Sequence, residues 1–288
     1  MSNACSIDTN RMRSYSSAFS RGAMMDIIRF NDFEHLSWVY TNYDNGAVRA
    51  NSYLDYLKLM YRALASNYRC EYVYKNEIIK ELLSKYGTKS TAVFNEFKVG
   101  NSIADIAFFN GESKAFEIKT DLDTPKRLGK QIADYQRIFD KCYIVIPDDK
   151  YEQYCDVVAP EIGIITLSKK GRSINLEERR AAIKNDTIDV DMLINILRTD
   201  EYKRLIIEEC GYLPSVPGHD MYGACRELMY GIPTHKLKSF FRDVVKERKN
   251  NTALLKNTPS ELRQLCLSLG LDKRGIEILL LRLNTQIN

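Results

Sequence analysis

Two short apolar runs of the sequence carry acidic residues and a lysine at spacings that suit hydrolytic chemistry. Asp105 lies in the first run, and Glu117 and Lys119 lie in the second after an interval of eleven residues. Side chains alternate between the faces of a β-strand, so Glu117 and Lys119 would share one face. If the runs form a hairpin in which Phe109 pairs with Ser113, Asp105 stands opposite Glu117. The Cβ atoms of the two acidic residues would then lie about 5 Å apart.

Two carboxylates at this separation repel each other, and a divalent cation between them removes the conflict. Oxygen ligands with few carboxylates and several waters suit Mg²⁺ or Mn²⁺. Such an ion lowers the pKa of a bound water and polarises a phosphoryl group. Lys119 could orient the attacking water and stabilise the charge that develops on the phosphoryl oxygens. The alternative is a solvated strand face on which charged and apolar residues simply alternate.

The surrounding pattern alternates between helices and strands up to about residue 175 and is helical afterwards. Before that point we predict helices over 52–68, 72–86 and 127–139, with strands over 91–99, 102–109, 114–119, 142–146 and 162–166. After it we predict helices over 177–184, 189–197, 200–209, 222–230, 234–248, 260–269 and 273–283. The fold class is therefore α/β, with N-terminal helices and an all-α C-terminal region.

Asp105 and the Glu117-Ile-Lys119 triplet, on the second and third strands after a helix, resemble the PD-(D/E)xK nuclease superfamily over residues 70–168. The resemblance implies a restriction-endonuclease-like core of order αβββαβ, whose mixed sheet is flanked by helices. The motif here reads Ile103-Ala-Asp105 and so lacks the usual proline. In this family Asp105, Glu117 and the Ile118 carbonyl would bind the metal, and the product would carry a 5′-phosphate.

Three further residues match the same family. Glu77, on the preceding helix, occupies the place of an additional metal-binding glutamate in many members. A glutamate on the helix surface near two lysines is the alternative. Gln131 and Tyr135 resemble the Q-x-x-x-Y motif of RecB-like members, in which they would fix a substrate phosphate or a metal ligand. They are four residues apart and therefore share one helical face.

Basic residues outside this site are candidates for holding nucleic acid. Arg127 could contact the substrate at the start of the helix that follows the third strand. Lys238, Arg242, Lys246 and Lys249 recur at spacings of four, four and three and form a basic stripe. Such a stripe can neutralise phosphates, and it can equally be a solvated helix face.

The C-terminal segment from Thr258 onward resembles the SAP motif, which binds DNA. Leu262, Leu265 and Leu269 of its first helix would pack against Leu279, Leu280 and Leu283 of its second. It departs from that motif because Arg282 falls one residue early and Glu277 stands where a lysine is usual. The alternative is a helical hairpin that closes the C-terminal bundle.

Composition limits the class of protein. Hydrophobic residues make up 44% of the 288, the net charge is only +4, and the seven dispersed cysteines form no Cys-x-x-Cys pair. A packed core is expected, whereas a zinc site or a disulfide framework is not. We find no signal peptide and no apolar stretch long enough for a membrane helix, so we expect a cytoplasmic protein without a membrane partner. The expected segments are 1–69, helical; 70–175, the nuclease core; 176–256, helical; and 257–288, the SAP-like hairpin.

Together these features predict a Mg²⁺- or Mn²⁺-dependent nuclease that acts on DNA, in defence, restriction or repair by analogy. An RNA-cleaving enzyme on the same fold and a non-catalytic DNA-binding or assembly protein are the alternatives. An endonuclease that cuts both strands is often a homodimer, although no stretch of this sequence marks an interface.

Overall fold

The computed structural model describes residues 8–121, 123–170 and 173–287. Within them the chain forms two compact units. The first contains residues 8–89, the segment 167–176 apart from 171 and 172, and residues 251–287. The second contains 90–166 without residue 122, together with 177–250. This division differs from the four consecutive segments expected, because parts of the chain distant in sequence share a core.

The helices before the sheet are α1 Thr9–Ala18, α2 Arg21–Phe30, α3 Glu34–Tyr43, α4 Tyr53–Asn67 and α5 Glu71–Tyr86. The strands are β1 Ala92–Val99, β2 Ser102–Asn110, β3 Glu112–Ile118, β4 Lys141–Pro147, β5 Gly163–Lys170 and β6 Ser173–Arg180. The helices between strands are α6 Leu128–Gln136 and α7 Tyr151–Cys155. The remaining helices are α8 Val190–Ile196, α9 Thr199–Cys210, α10 Met221–Met229, α11 Thr234–Glu247, α12 Arg263–Ser268 and α13 Lys273–Leu283.

The six strands form one mixed sheet in sequence order, flanked by helices. β1, β2 and β3 are antiparallel neighbours, and β3 and β4 run parallel. The predicted order of a helix, three strands, a helix and a strand is confirmed from α5 to β4. The α/β class is confirmed as well.

The prediction of a helix over 177–184 is wrong, because β6 continues to Arg180. Its Glu-Glu-Arg-Arg segment has the composition of a helix, yet partners distant in sequence hold it as a strand. The Tyr143 hydroxyl donates to Glu178 Oε1 at 3.0 Å. The guanidinium of Arg180 donates to the backbone carbonyls of Ile162 and Val158 at 2.8 and 3.2 Å. Strands therefore do not end at residue 175.

In the first unit, buried tyrosines hold the N-terminal helices together. Tyr15 of α1 and Tyr56 of α4 both donate their hydroxyl to the buried carboxylate of Asp44, and Arg11 pairs with the same carboxylate. Burial and the hydrogen bond to Asp44 raise the pKa of Tyr56, so its hydroxyl remains a donor. This part of the tyrosine content is structural. No helix in the described part of the chain is both long and apolar enough to cross a membrane.

In the second unit, aromatic side chains join α11 to the sheet. The rings of Phe97, Phe109 and Phe139 each lie 5.6 to 6.5 Å from the ring of Phe241, centroid to centroid. All four rings are buried. Residues 177–250 therefore complete the core of the sheet, which is why they do not form a separate helical domain.

A buried ion pair connects α11 to the hairpin of β2 and β3. Asp140 is 1% exposed and accepts hydrogen bonds from the backbone N–H and the hydroxyl of Ser113 at 2.7 and 2.9 Å. Lys238, 5% exposed, donates to Asp140 Oδ1 at 3.0 Å and to the Asn185 carbonyl at 2.7 Å. Burial opposes the charge of Asp140, but the bonds from Ser113 and Lys238 outweigh it and lower the pKa of Asp140.

We predict that Asp140→Asn lowers the free energy of unfolding by about 3 kcal/mol at pH 7, because it leaves the ammonium of Lys238 buried without a carboxylate. The folded-state pKa of Asp140 is lowered, so its contribution is complete above the ordinary value of about 4 and is lost as the pH falls through the folded-state pKa. Urea unfolding of both proteins between pH 7 and pH 3 measures the difference.

The matched control is Asp186→Asn, an exposed acid 3.6 Å from Lys184, which should change stability by less than about 0.5 kcal/mol. A difference between wild type and Asp140→Asn that stays constant down to pH 3 would contradict the ion pair as its source.

Candidate active site

The register of β2 and β3 determines which acidic residues face each other. The predicted pairing of Phe109 with Ser113 is confirmed, and the regular ladder ends with Ile106 opposite Phe116. One further step along the same register brings Asp105 opposite Glu117. There the N–H of Ile118 donates to Asp105 Oδ2 at 2.8 Å, so a side-chain oxygen takes the place of a backbone carbonyl as the acceptor.

The carboxylate of Glu117 is the centre of the site and is only 2% exposed. Lys119 Nζ donates to Glu117 Oε1 at 2.8 Å, and the Tyr135 hydroxyl lies 2.7 Å from Glu117 Oε2. Lys119 Nζ also donates to Gln131 Oε1 at 3.1 Å. β2, β3 and α6 thus bring Asp105, Glu117, Lys119, Gln131 and Tyr135 into one connected group.

The elements position these side chains for simple reasons. The hydrogen bonding between β3 and β4 continues one residue past the end of β3, because the N–H of Lys119 donates to the Val145 carbonyl of β4 at 2.9 Å. Glu117 and Lys119 therefore keep the strand alternation that places them on one face. On α6, Gln131 and Tyr135 are one turn apart and share a face, so Gln131 accepts from Lys119 while Tyr135 meets the carboxylate of Glu117.

Two effects favour a neutral Glu117. Burial raises the pKa of Glu117 most, and the nearby charge of Asp105 raises it further, while Lys119 and Tyr135 act in the opposite direction. The Tyr135 hydroxyl has one proton but lies 2.7 Å from both Glu117 Oε2 and the Ile103 carbonyl. A protonated Glu117 would donate to Tyr135, which would then donate to Ile103. A cation at the carboxylates can take the place of that proton.

The donor set fits a hard divalent cation that keeps several waters. Mg²⁺ is commonly held by one or two carboxylates, with water completing its coordination. Asp105 and Glu117 supply two carboxylates here. Within residues 8–121, 123–170 and 173–287, no group of three or more His, Cys, Asp or Glu side chains is arranged to hold a metal ion. A bound ion would therefore need backbone oxygens, such as the Ile118 carbonyl, or water to complete its shell.

Glu77 belongs to the first unit, where other side chains engage its carboxylate. Tyr61 donates to Glu77 Oε1 at 2.5 Å, and Lys80 Nζ lies 2.8 and 2.9 Å from the two oxygens. Glu77 is buried, so it does not lie on an exposed helix surface. Its role as a metal ligand stays a prediction.

The basic stripe of α11 is divided between the interior and the surface. Lys238 is buried against Asp140, so its expected contact with nucleic acid does not fit the structure. Arg242 lies 3.5 Å from the same carboxylate. Lys246 is half-buried and Lys249 is exposed. Arg127, exposed at the end of a 3₁₀ turn before α6, is free to meet a substrate.

The SAP-like segment is built into the first unit. Its helix α12 packs mainly on α5, and α13 packs mainly on α2. Arg282 donates to the Ile27 carbonyl at 2.5 Å, and Arg21 donates to the Ser268 carbonyl at 3.1 Å. A role of this segment in DNA binding stays a prediction.

One feature beside the site could not be seen in the sequence. Glu96 has φ +55°, a left-handed conformation that glycine adopts more readily, and it is exposed within β1. The pairs Asn95–Ile106 and Phe97–Ala104 leave Glu96 opposite Asp105. The strand is therefore strained next to the candidate metal ligand, and no local residue pattern signals it.

This chain is similar to one protein family and to two individual proteins. A family model described as bacteriophage P4 protein cII matches residues 64–267, which include all five residues of the connected group. Protein cII of Enterobacteria phage P4 is 26% identical over 177 residues, or 60% of this chain, and the aligned part spans 66% of that protein's length. SPO1766, a protein of unknown function from Silicibacter pomeroyi, shares 14% identity with a TM-score of 0.33, over 47% of this chain and 88% of that one.

We predict that Glu96→Gly stabilises the protein by about 1 kcal/mol, because glycine relieves the left-handed strain. The control Lys98→Gly, at an exposed β1 residue of ordinary φ, should lower stability by about 0.5–1 kcal/mol. Chemical denaturation measures both. Equal losses in the two variants would show that Glu96 is not strained in solution.

Proposed function

The chain belongs to the bacteriophage P4 protein cII family, and from the geometry of its candidate site we propose that it is a metal-dependent nuclease acting on DNA. One observation carries the proposal: buried Glu117 is bound by Lys119 at 2.8 Å and lies near Asp105. Asp105 accepts from the neighbouring Ile118 N–H, and burial and the charge of Asp105 raise the pKa of Glu117. An acidic pair and an ammonium group on adjacent strands suit phosphodiester hydrolysis. We also propose that the sheet and its helices form a restriction-endonuclease-like core.

In this proposal Asp105, Glu117 and the Ile118 carbonyl hold Mg²⁺ or Mn²⁺. When bound, such an ion activates a water and polarises the phosphoryl group. Lys119 has a fixed position, because Glu117 and Gln131 both accept its protons. From there its ammonium orients the attacking water and stabilises the negative charge that develops on the phosphoryl oxygens.

The residues of α6 act by positioning. The raised pKa of Tyr135, caused first by burial and then by the charge of Glu117, keeps its hydroxyl protonated. The Tyr135 hydroxyl lies 2.7 Å from both the Ile103 carbonyl and Glu117 Oε2, so it restrains the carboxylate of Glu117. Gln131 shares Lys119 with Glu117 and can turn its amide toward a substrate phosphate. The exposed Arg127, one turn earlier, is the substrate contact we propose here.

A buried Glu–Lys contact is also what a purely structural ion pair would form, so the proposal needs a test of activity. With Mg²⁺ or Mn²⁺, the wild-type chain should cleave DNA, and Asp105→Asn or Lys119→Met should each lower the rate by at least about 100-fold. The losses arise because one variant removes a metal ligand and the other removes the stabilising charge. Labelled single- and double-stranded DNA and RNA of one sequence serve as substrates.

The matched control is Asp121→Asn, which makes the same charge change at an exposed residue two positions after Lys119 and should cleave at the wild-type rate. If wild type cuts none of these substrates, or Asp105→Asn cuts as fast as wild type, the proposed activity is wrong. Cleavage of RNA alone would favour the RNA-cleaving alternative.

Metal binding can be tested without substrate. We predict that Mn²⁺ raises the melting temperature of wild type by several degrees, since a ligand at 100 times its Kd adds about 2.7 kcal/mol of stability. Asp105→Asn and Glu117→Gln should lose this shift. Differential scanning fluorimetry with and without EDTA gives the readout.

The same titration examines Glu77. If Glu77 is a third ligand, Glu77→Gln weakens the apparent affinity for Mn²⁺, whereas an unchanged affinity assigns Glu77 a structural role with Tyr61 and Lys80. A wild-type melting temperature that ignores Mn²⁺ and Mg²⁺ would rule out the metal site.

A further inference from the structure

The second unit contains an open groove of about 860 Å³ beside the candidate site. Its walls come from β1 and the turn after it, from α6 and α8, and from the residues that precede α9 and follow α11. Five of the lining residues are cationic: Lys98, Arg137, Arg198, Arg248 and Lys249. We use the name basic groove for the surface that these five residues line.

Two of the five cations are neutralised within the protein. Arg248 donates to both oxygens of Glu201, at 2.8 and 2.5 Å. Arg137 pairs with Asp189 through two nitrogens, at 2.9 and 2.8 Å. These pairs shape the groove, and their charges are not available to a ligand.

The other three cations remain available to a ligand. Lys98 and Lys249 are exposed. The side chain of Arg198 is 65% exposed, and its Nε lies 4.0 Å from Glu201, which is already bound by Arg248. Burial tends to raise the pKa of Glu201, but the bonds from Arg248 and the backbone lower it overall. Arg198 is thus left facing solvent.

The acidic residues of the lining, Asp191, Asp134 and Glu96, reduce this charge without removing it. Asp191 accepts from Arg226 and from the Tyr230 hydroxyl, and the bond from Arg226 lowers the pKa of Asp191 most. Asp134 accepts from the neutral Ser102 hydroxyl at 2.6 Å and keeps its negative charge. Glu96 is the exposed acid of the lining and stands opposite Asp105 in the sheet register.

β2 connects the wall of the groove to the candidate active site. Ser102, which is bonded to Asp134 of the groove wall, precedes Asp105 by three residues. At a rise of about 3.3 Å per residue, the two lie roughly 10 Å apart. A nucleic-acid strand held in the groove would need to extend by about this distance to reach Asp105.

We infer that the basic groove binds the sugar-phosphate backbone of a single nucleic-acid strand, with Lys98, Arg198 and Lys249 as the phosphate contacts. Its volume is within the range of pockets that enclose small ligands, about 300–1,000 Å³, so it takes a short stretch of one strand. The half-buried ring of Phe94 and the exposed amide of Asn101 line the same surface and offer a stacking face and hydrogen bonds for bases. The inference rests on the proposed function, because it names how that site receives its substrate.

The test measures binding of a labelled single-stranded oligonucleotide by fluorescence anisotropy, with the full chain carrying Asp105→Asn to prevent cleavage. Adding Lys98→Ala, Arg198→Ala and Lys249→Ala together should raise the Kd at least about 10-fold. Three lost phosphate contacts should also reduce the slope of log Kd against log salt by about two.

The control adds Arg49→Ala, Lys85→Ala and Lys89→Ala, three exposed cations of the first unit outside the SAP-like segment, and removes the same total charge. Its Kd should stay within about threefold of the parent. Equal weakening by both triple variants, or a groove variant that binds like the parent, would overturn the inference. Melting temperatures verify folding, and Lys98→Glu alone replaces the triple variant if that protein does not fold.

The outcomes separate the two proposals. If wild type cuts no substrate but the groove variant alone loses binding, the groove stands and the nuclease proposal fails. If wild type cuts DNA and the groove variant binds and cuts equally well, the groove fails and the nuclease proposal stands.

Discussion

The position of every candidate catalytic side chain depends on the register of the β2–β3 hairpin. Gly111, with φ +67°, makes the turn, and the pairs that follow end at Ile106 and Phe116, next to Asp105 and Glu117. A slip of one residue would send Glu117 and Lys119 to the opposite face of the sheet. Tyr135 could then no longer reach the carboxylate that it restrains at 2.7 Å.

This arrangement is unfavourable in a protein without a bound cation. Burial and the charge of Asp105 both raise the pKa of Glu117, and only Lys119 and Tyr135 oppose them. A well-packed apolar group would be at least as stable as such a buried ionic contact. Buried acids with raised pKa values and residues with strained backbone, such as Glu96, are concentrated at functional sites, which supports a functional interpretation of this end of the sheet.

The sequence was informative where the interactions are local. The alternation around Asp105 and Glu117, and the Asn110-Gly111 turn between them, are enough to predict the second and third strands and the register between them. Residues 177–184 were mistaken for a helix because contacts with Tyr143 and Ile162 decide their conformation. Lys238 was misjudged for a related reason: a lysine at helical spacing looks the same whether it faces water or the buried Asp140.

The ion pair between Lys238 and Asp140 also joins the two proposed functional surfaces. Asp140 binds the N–H of Ser113, which pairs with Phe109 in the hairpin that sets the register, and it binds Lys238 on α11. The far end of that helix is followed by Lys249, which lines the basic groove. A single buried carboxylate therefore fixes α11 to the strand that carries Glu117. Of the regularly spaced basic residues on and just after α11, Lys238 is buried against Asp140, whereas Lys249 is exposed and lines the basic groove. The buried ion pair holds α11, and with it Lys249, against the strand that carries Glu117.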